Sequence, residues 1–184
     1  MSNVSNRNPW PNDVFQVLVQ YQVRQVAFVP DAGHADLIRL CGECDEMLSV
    51  PLTSEEEGVA LLAGAWLGGE RGVLLLQSSG VGTCLNILAL PRVCHMPLLL
   101  LVTMRGEWGE FNPWQVPMGQ TADRVLTLAG VITFPVSEPT QVAETVAAAA
   151  RMAFEGPAAT AVLISQRIVG AKTFGQENAQ PGRA

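Results

Sequence analysis

Two uninterrupted apolar runs, residues 72–77 (GVLLLQ) and 97–102 (PLLLLV), restrict the fold of this chain more than any other feature. A strand with one solvated face alternates apolar and polar residues, and these do not. They are also far shorter than the roughly 20 apolar residues a bilayer span needs. They therefore read as strands covered on both faces. Around them the sequence predicts helices over 13–24, 34–44, 55–67, 81–93, 119–129 and 138–154, and further strands over 25–29, 47–52, 131–136 and 160–164. Six strands alternating with six helices predict a three-layer α/β/α fold on a six-stranded parallel sheet. No internal repeat or interdomain linker interrupts the pattern. The expectation is one domain over 13–169 between flexible segments at 1–12 and 170–184.

Charge narrows the function. A net charge of −6 argues against a general nucleic-acid binder, which carries a basic face. No run is long enough to span a membrane, and the polar start MSNVSNRNPWPN has no signal-peptide core, so a cytoplasmic protein is expected. Cys41 and Cys44 form a C-x-x-C, but the pair closes a helix, the end where the dipole disfavours a thiolate. Cys84, Cys94 and His95 do not repeat a ligand spacing, so no metal site is expected and His95 reads as a structural histidine.

The segment SEEEGVALLAGAWLGG (54–69) places three carboxylates at the first turn of a helix that is apolar on nearly every side, which predicts burial. Ser54 and Glu57 have the spacing of a capping box, with Glu55 and Glu56 at the first two helical positions. All three acids can simply cap the helix, or one can work on a ligand; position alone does not separate these. In parallel α/β sheets ligands bind at the carboxyl ends of the strands. The candidate loops are thus PDAG (30–33), TSEEE (53–57), QSSGVG (77–82) and the long 103–119 segment. The glycine loop fails the dinucleotide pattern, because Leu85 stands where its last glycine belongs. Arg105 is the cation of the 103–119 segment; it can hold an anionic substrate or pair with Glu107 or Glu110 and order the loop.

VPDAG, EEEGVALLAGAWLGG, QSSGVGTCLN, RGEWGEFNPWQVPMG and LISQRIVGAKTF together resemble the pyrimidine-binding domain of thiamin-diphosphate-dependent decarboxylases. The likeness spans about residues 26–172 and lies in the sulfopyruvate and phosphonopyruvate branch, with PMG favouring the former. The resemblance implies the parallel-sheet fold. It implies that Glu56, counted back from Ala63-Gly64-Ala65-Trp66, hydrogen-bonds N1′ of the cofactor's aminopyrimidine. Gly80, Val81, Gly82 and Asn86 become cofactor contacts, and Asp31, Ala32, Arg105 and Gln115 substrate contacts. The family's Gly-Asp-Gly motif for diphosphate and Mg²⁺ has no counterpart here. The resemblance therefore implies a beta subunit carrying that half, in a hetero-oligomer that converts sulfopyruvate to sulfoacetaldehyde and carbon dioxide. Ala32 and Thr83 stand where relatives often carry Ser and Asn, which leaves other 2-oxo acids, or a non-catalytic subunit of the same fold, as alternatives.

Overall fold

The computed structural model describes residues 10–170. Of the segments expected to be flexible, 1–12 and 170–184, residues 1–9 and 171–184 lie outside the described residues. The sheet has six parallel strands: β1 (Val23–Phe28), β2 (Leu48–Pro51), β3 (Arg71–Gln77), β4 (Leu98–Thr103), β5 (Ile132–Val136) and β6 (Ala159–Ile164). Their spatial order is β2-β1-β3-β4-β6-β5. Leu74 pairs with Leu100 and Leu75 with Leu101 in register. Odd-numbered residues Val73, Leu75, Leu99 and Leu101 enter one core, and even-numbered Leu74, Leu76, Leu98, Leu100 and Val102 enter another. This is why the central strands do not alternate: each pleat face has its own helix layer to fill.

Helices α1 (Trp10–Gln20), α2 (Ala35–Gly42) and α7 (Val142–Glu155) cover the first face. The second is covered by α3 (Glu55–Leu67), α4 (Val81–Cys84) and α6 (Val116–Leu128). Between α4 and α6 the chain also forms α5 (Ala89–Cys94), and the last element of the described residues is α8 (Gln166–Val169).

Several expectations are corrected. Helix α1 starts at Trp10, so residues 10–12 belong to the domain; Trp10 and Pro11 are buried, and proline is tolerated in a first helical turn. It also stops early, because Gln22 takes a left-handed conformation (φ 55°). The helix expected over 81–93 is broken into α4 and α5. Pro91 has no N–H for the Ile87 carbonyl, and Leu90 donates to that carbonyl in a tighter turn (2.9 Å). Helix α6 begins at Val116, announced by Asn112, whose side chain accepts from the Trp114 N–H (3.1 Å) ahead of Pro113. Ser54 makes no side-chain capping bond; Glu57 reaches back to the Thr53 N–H instead (3.0 Å).

The largest correction concerns α3. Only Gly58, Val59 and Leu62 are buried. Leu67 is 75% exposed, and a methyl group at Gly64 would meet nothing within 4 Å. The sheet presents one surface to this helix, and no further layer of the described chain covers the other.

The four cysteines are free thiols. Burial, reinforced by Cys44, pushes the Cys41 thiol up to about 12, which suits packing rather than redox chemistry. His95 is exposed, in left-handed conformation at the end of α5, not a buried structural histidine. Among the described residues no helix is long and apolar enough to cross a membrane.

Candidate functional site

Chain connection reverses between β1 and β3, and a ligand crevice forms at such a switch point. Asp31 follows β1 there. Its Oδ1 accepts from Gln77 Nε2 at 2.9 Å and its Oδ2 from the Thr103 hydroxyl at 2.5 Å, so one side chain ties together the ends of β1, β3 and β4. Burial alone would raise its pKa. The His34 imidazole, whose Nδ1 lies 3.6 Å away, together with Thr103 and the Gly33 N–H, more than offsets this and holds the carboxyl well below the usual range. His34 is fully buried, and neither ring nitrogen hydrogen-bonds among the described residues. Asp31, Ala32, Gly33, Thr103, Arg105 and Val169 enclose a small cavity of about 50 Å³. Three of the four expected substrate residues thus come together. Gln115 does not line it; its Oε1 is buried without a hydrogen-bond partner.

The segment after β4 is organised by an ion pair. Arg105 Nε and Nη2 each donate to Glu110 at 2.7 Å, with the two side chains 11% and 3% exposed. Glu110 also accepts from the N–H groups of Gly106 and Asn112 and from Gln166 Nε2. Burial would raise its pKa, but Arg105, Asn112 and Gln166 together lower it to about 2. Gln166 is wholly buried and braces the loop by accepting from the Glu107 and Trp108 N–H groups. Glu107 in turn accepts from the Ser165 hydroxyl and the Gln166 N–H. Gly119, the glycine of PMG, is required by packing: a Cβ there would overlap the Arg105 carbonyl. The pairing alternative for Arg105 is therefore the one the geometry realises, through Glu110. Sequence reasoning missed Gln166, Thr103 and His34; LISQRIVG was the visible trace of the first.

Ser78 joins this region to the glycine loop, accepting from the Arg105 N–H at 3.0 Å. After the 3₁₀ turn Ser78–Gly80, α4 begins at Val81. Val81 is core, so only its backbone can face a ligand, whereas Asn86 is exposed. Gly82 faces Met118, 3.5 Å from an added Cβ. Ser79, Thr83, Pro113, Trp114, Pro117 and Met118 bound an open, largely apolar hollow of about 660 Å³. The start of α3 lies beside this loop. Glu55, one of the three acids that could cap the helix, leans onto Gly80 and accepts from Thr83 Oγ1 at 3.3 Å. Glu56 is exposed, and its carboxylate makes no hydrogen bond or ion pair among the described residues.

No family model matches the chain. It is 31% identical over 127 residues to sulfopyruvate decarboxylase subunit alpha of Methanocaldococcus jannaschii, covering 68% of this chain and 75% of that one. It is 31% identical over 141 residues to phosphonopyruvate decarboxylase of Streptomyces viridochromogenes, covering 76% of this chain but only 36% of that longer one. In fold it is similar to a 2-oxoglutarate:ferredoxin oxidoreductase from Magnetococcus marinus, with TM-score 0.70 and 14% identity over 87% of this chain and 29% of that one.

Proposed function

Because the chain belongs to the sulfopyruvate decarboxylase alpha-subunit family, we propose that it is the pyrimidine-binding half of a two-chain thiamin-diphosphate-dependent decarboxylase acting on sulfopyruvate. The observation that carries this is Glu56: an unpartnered carboxylate at the first turn of a helix whose outer face is open, beside a glycine loop. When bound, thiamin diphosphate supplies the electron sink that lets a 2-oxo acid lose carbon dioxide. Glu56 would hold the proton shared with N1′ of the aminopyrimidine. The backbone of Gly80, Val81 and Gly82 would line the same cleft, with Asn86 beyond it. The Asp31, Ala32 and Arg105 cavity would receive the substrate. Asp31 is fixed and ionised, while Arg105 keeps Nη1 and the second N–H of Nη2 free of Glu110.

The described residues suit half of the cofactor. No cluster of His, Cys, Asp and Glu among them can hold a metal ion. The diphosphate and Mg²⁺ would thus fall to a beta subunit docking on the open side of α3, where Leu67 and, across the glycine loop, Trp114 (83% exposed) await cover. The longer Streptomyces relative is consistent with this, since it has most of its length beyond the match. A second reading, another 2-oxo acid such as phosphonopyruvate or pyruvate, is favoured by Arg105 being already paired with Glu110 through its Nε–Nη2 edge, so that its charge is answered within the chain and only the end-on Nη1–Nη2 edge is left for an anion.

Co-expression with a beta chain that carries the diphosphate-binding half tests both. The isolated chain should bind no thiamin diphosphate tightly by calorimetry, and the complex should release carbon dioxide fastest from sulfopyruvate. A submicromolar cofactor site in the isolated chain would refute the split site, and faster turnover of phosphonopyruvate or pyruvate would select the second reading.

A further inference from the structure

Gly80 invites the view that a glycine is there to let a ligand approach the backbone. Its geometry says otherwise. Its φ is −75°, a value open to any residue, so backbone conformation does not demand glycine. Gly80 is buried, and the space a Cβ would fill holds the Glu55 carboxylate. The glycine makes room for an acid of its own chain.

That acid is held from the other side. Thr83 Oγ1 lies 2.8 Å from the Gly80 carbonyl and 3.3 Å from Glu55 Oε2, and its single proton, shared between these two acceptors with the carbonyl the nearer, links the glycine loop to the first residue of α3. Thr83 is exposed and lines the 660 Å³ hollow. Glu56 is the next residue of the same turn, about 100° further round the helix. Whatever fixes Glu55 against the loop therefore fixes where the Glu56 backbone begins.

We propose that Thr83 and Glu55 are a positioning pair: Glu55, seated over Gly80 and held by Thr83, sets where Glu56 stands relative to the glycine loop. This rests on the reading of Glu56 as the carboxyl group at N1′. Neither residue needs to touch the cofactor. Serine can keep the link, because it keeps the hydroxyl. Valine has the shape of threonine without the hydroxyl, so it removes the proton shared by Glu55 and the Gly80 carbonyl while keeping the packing.

The test uses the reconstituted alpha–beta complex, with thiamin diphosphate binding followed by calorimetry and folding by thermal melting. Thr83→Val should weaken cofactor binding about tenfold, the scale of one hydrogen bond to a charged group. Its melting temperature should stay at the wild-type value, since the side chain is exposed, and Thr83→Ser should restore binding. Placed on Glu56→Gln, Thr83→Val should add little further loss, because it acts through that residue. Wild-type binding by Thr83→Val, a melting temperature that falls in step with affinity, or full additivity with Glu56→Gln would each overturn the positioning pair. A wild-type complex that does not bind thiamin diphosphate would overturn the half-site reading as well.

Discussion

The loop around Arg105 and the face around Glu56 are built from the same materials, carboxylates, glycines and tryptophans, yet they end in opposite states. Around Arg105 the charges are answered within the chain. The guanidinium meets Glu110, Glu110 meets two backbone N–H groups, and Gln166 closes the network from α8. On the open face Glu56 has no such partner, Gly64 faces open space and Leu67 stands in solvent. A saturated region is a finished part of the protein, whereas one that leaves apolar helix and a bare carboxylate together is a surface for something else to complete.

The strongest way to break this contrast is at Glu110. Glu110→Gln leaves Arg105 in a nearly dry site without its counter-charge, and the folded chain should lose about 3–5 kcal/mol, measured by denaturant unfolding. Its pH dependence has a definite sign. The folded-state pKa is depressed from 4.5 to about 2, so the stabilisation is complete above the unfolded value and is lost as pH falls through that window. The variant should lose this part of the wild-type acid sensitivity. A variant as stable as wild type would make the loop an ordinary surface feature.

Glu56→Gln probes the other side. Turnover by the complex should fall about 10²-fold or more, the scale of a lost proton-transfer group, with unfolding of the isolated chain unchanged. Loss of stability without loss of turnover would return Glu56 to a capping role. Arg105→Lys comes next in size. If Arg105 chiefly orders the loop, losses in kcat/KM should be equal for sulfopyruvate and pyruvate; a loss confined to the sulfonated acid would make it a recognition residue. The smallest effect is expected at Gly64→Ala. An added methyl meets nothing within 4 Å, so the isolated chain should gain about 1 kcal/mol from helix propensity. Its assembly with the beta chain should weaken at the same time, and unchanged assembly would remove Gly64 from the docking face.

The strand layer was legible because burial on both sides leaves a compositional mark that no loop imitates, and Leu74 to Leu76 and Leu98 to Val102 carry it. Helix ends were less so. Pro91 and Asn112-Pro113 are signals that the sequence carries for two of these ends, while the stop at Gln22 has none, since glutamine rarely adopts that conformation. For the candidate site, the loops were found but not their internal wiring. Helical spacing places Glu55 and Glu56 side by side, yet only the approach of Gly80, far along the chain, decides which of them is engaged. Gln166 is a polar residue among apolar ones, and nothing local says that it braces a loop some 60 positions earlier in the chain.

The uncovered side of α3 also bears on how much of this chain is made. If a beta chain docks there as proposed, copies synthesised in excess of it would present an apolar helix face, Leu67 at its end, to every other protein they meet. Association with such a partner would stabilise the folded form by mass action, and surplus copies would lack that support. Matched synthesis of the two chains would then be a condition for keeping this one soluble, and the ratio of the two products would be as much a property of α3 as of any control of their expression.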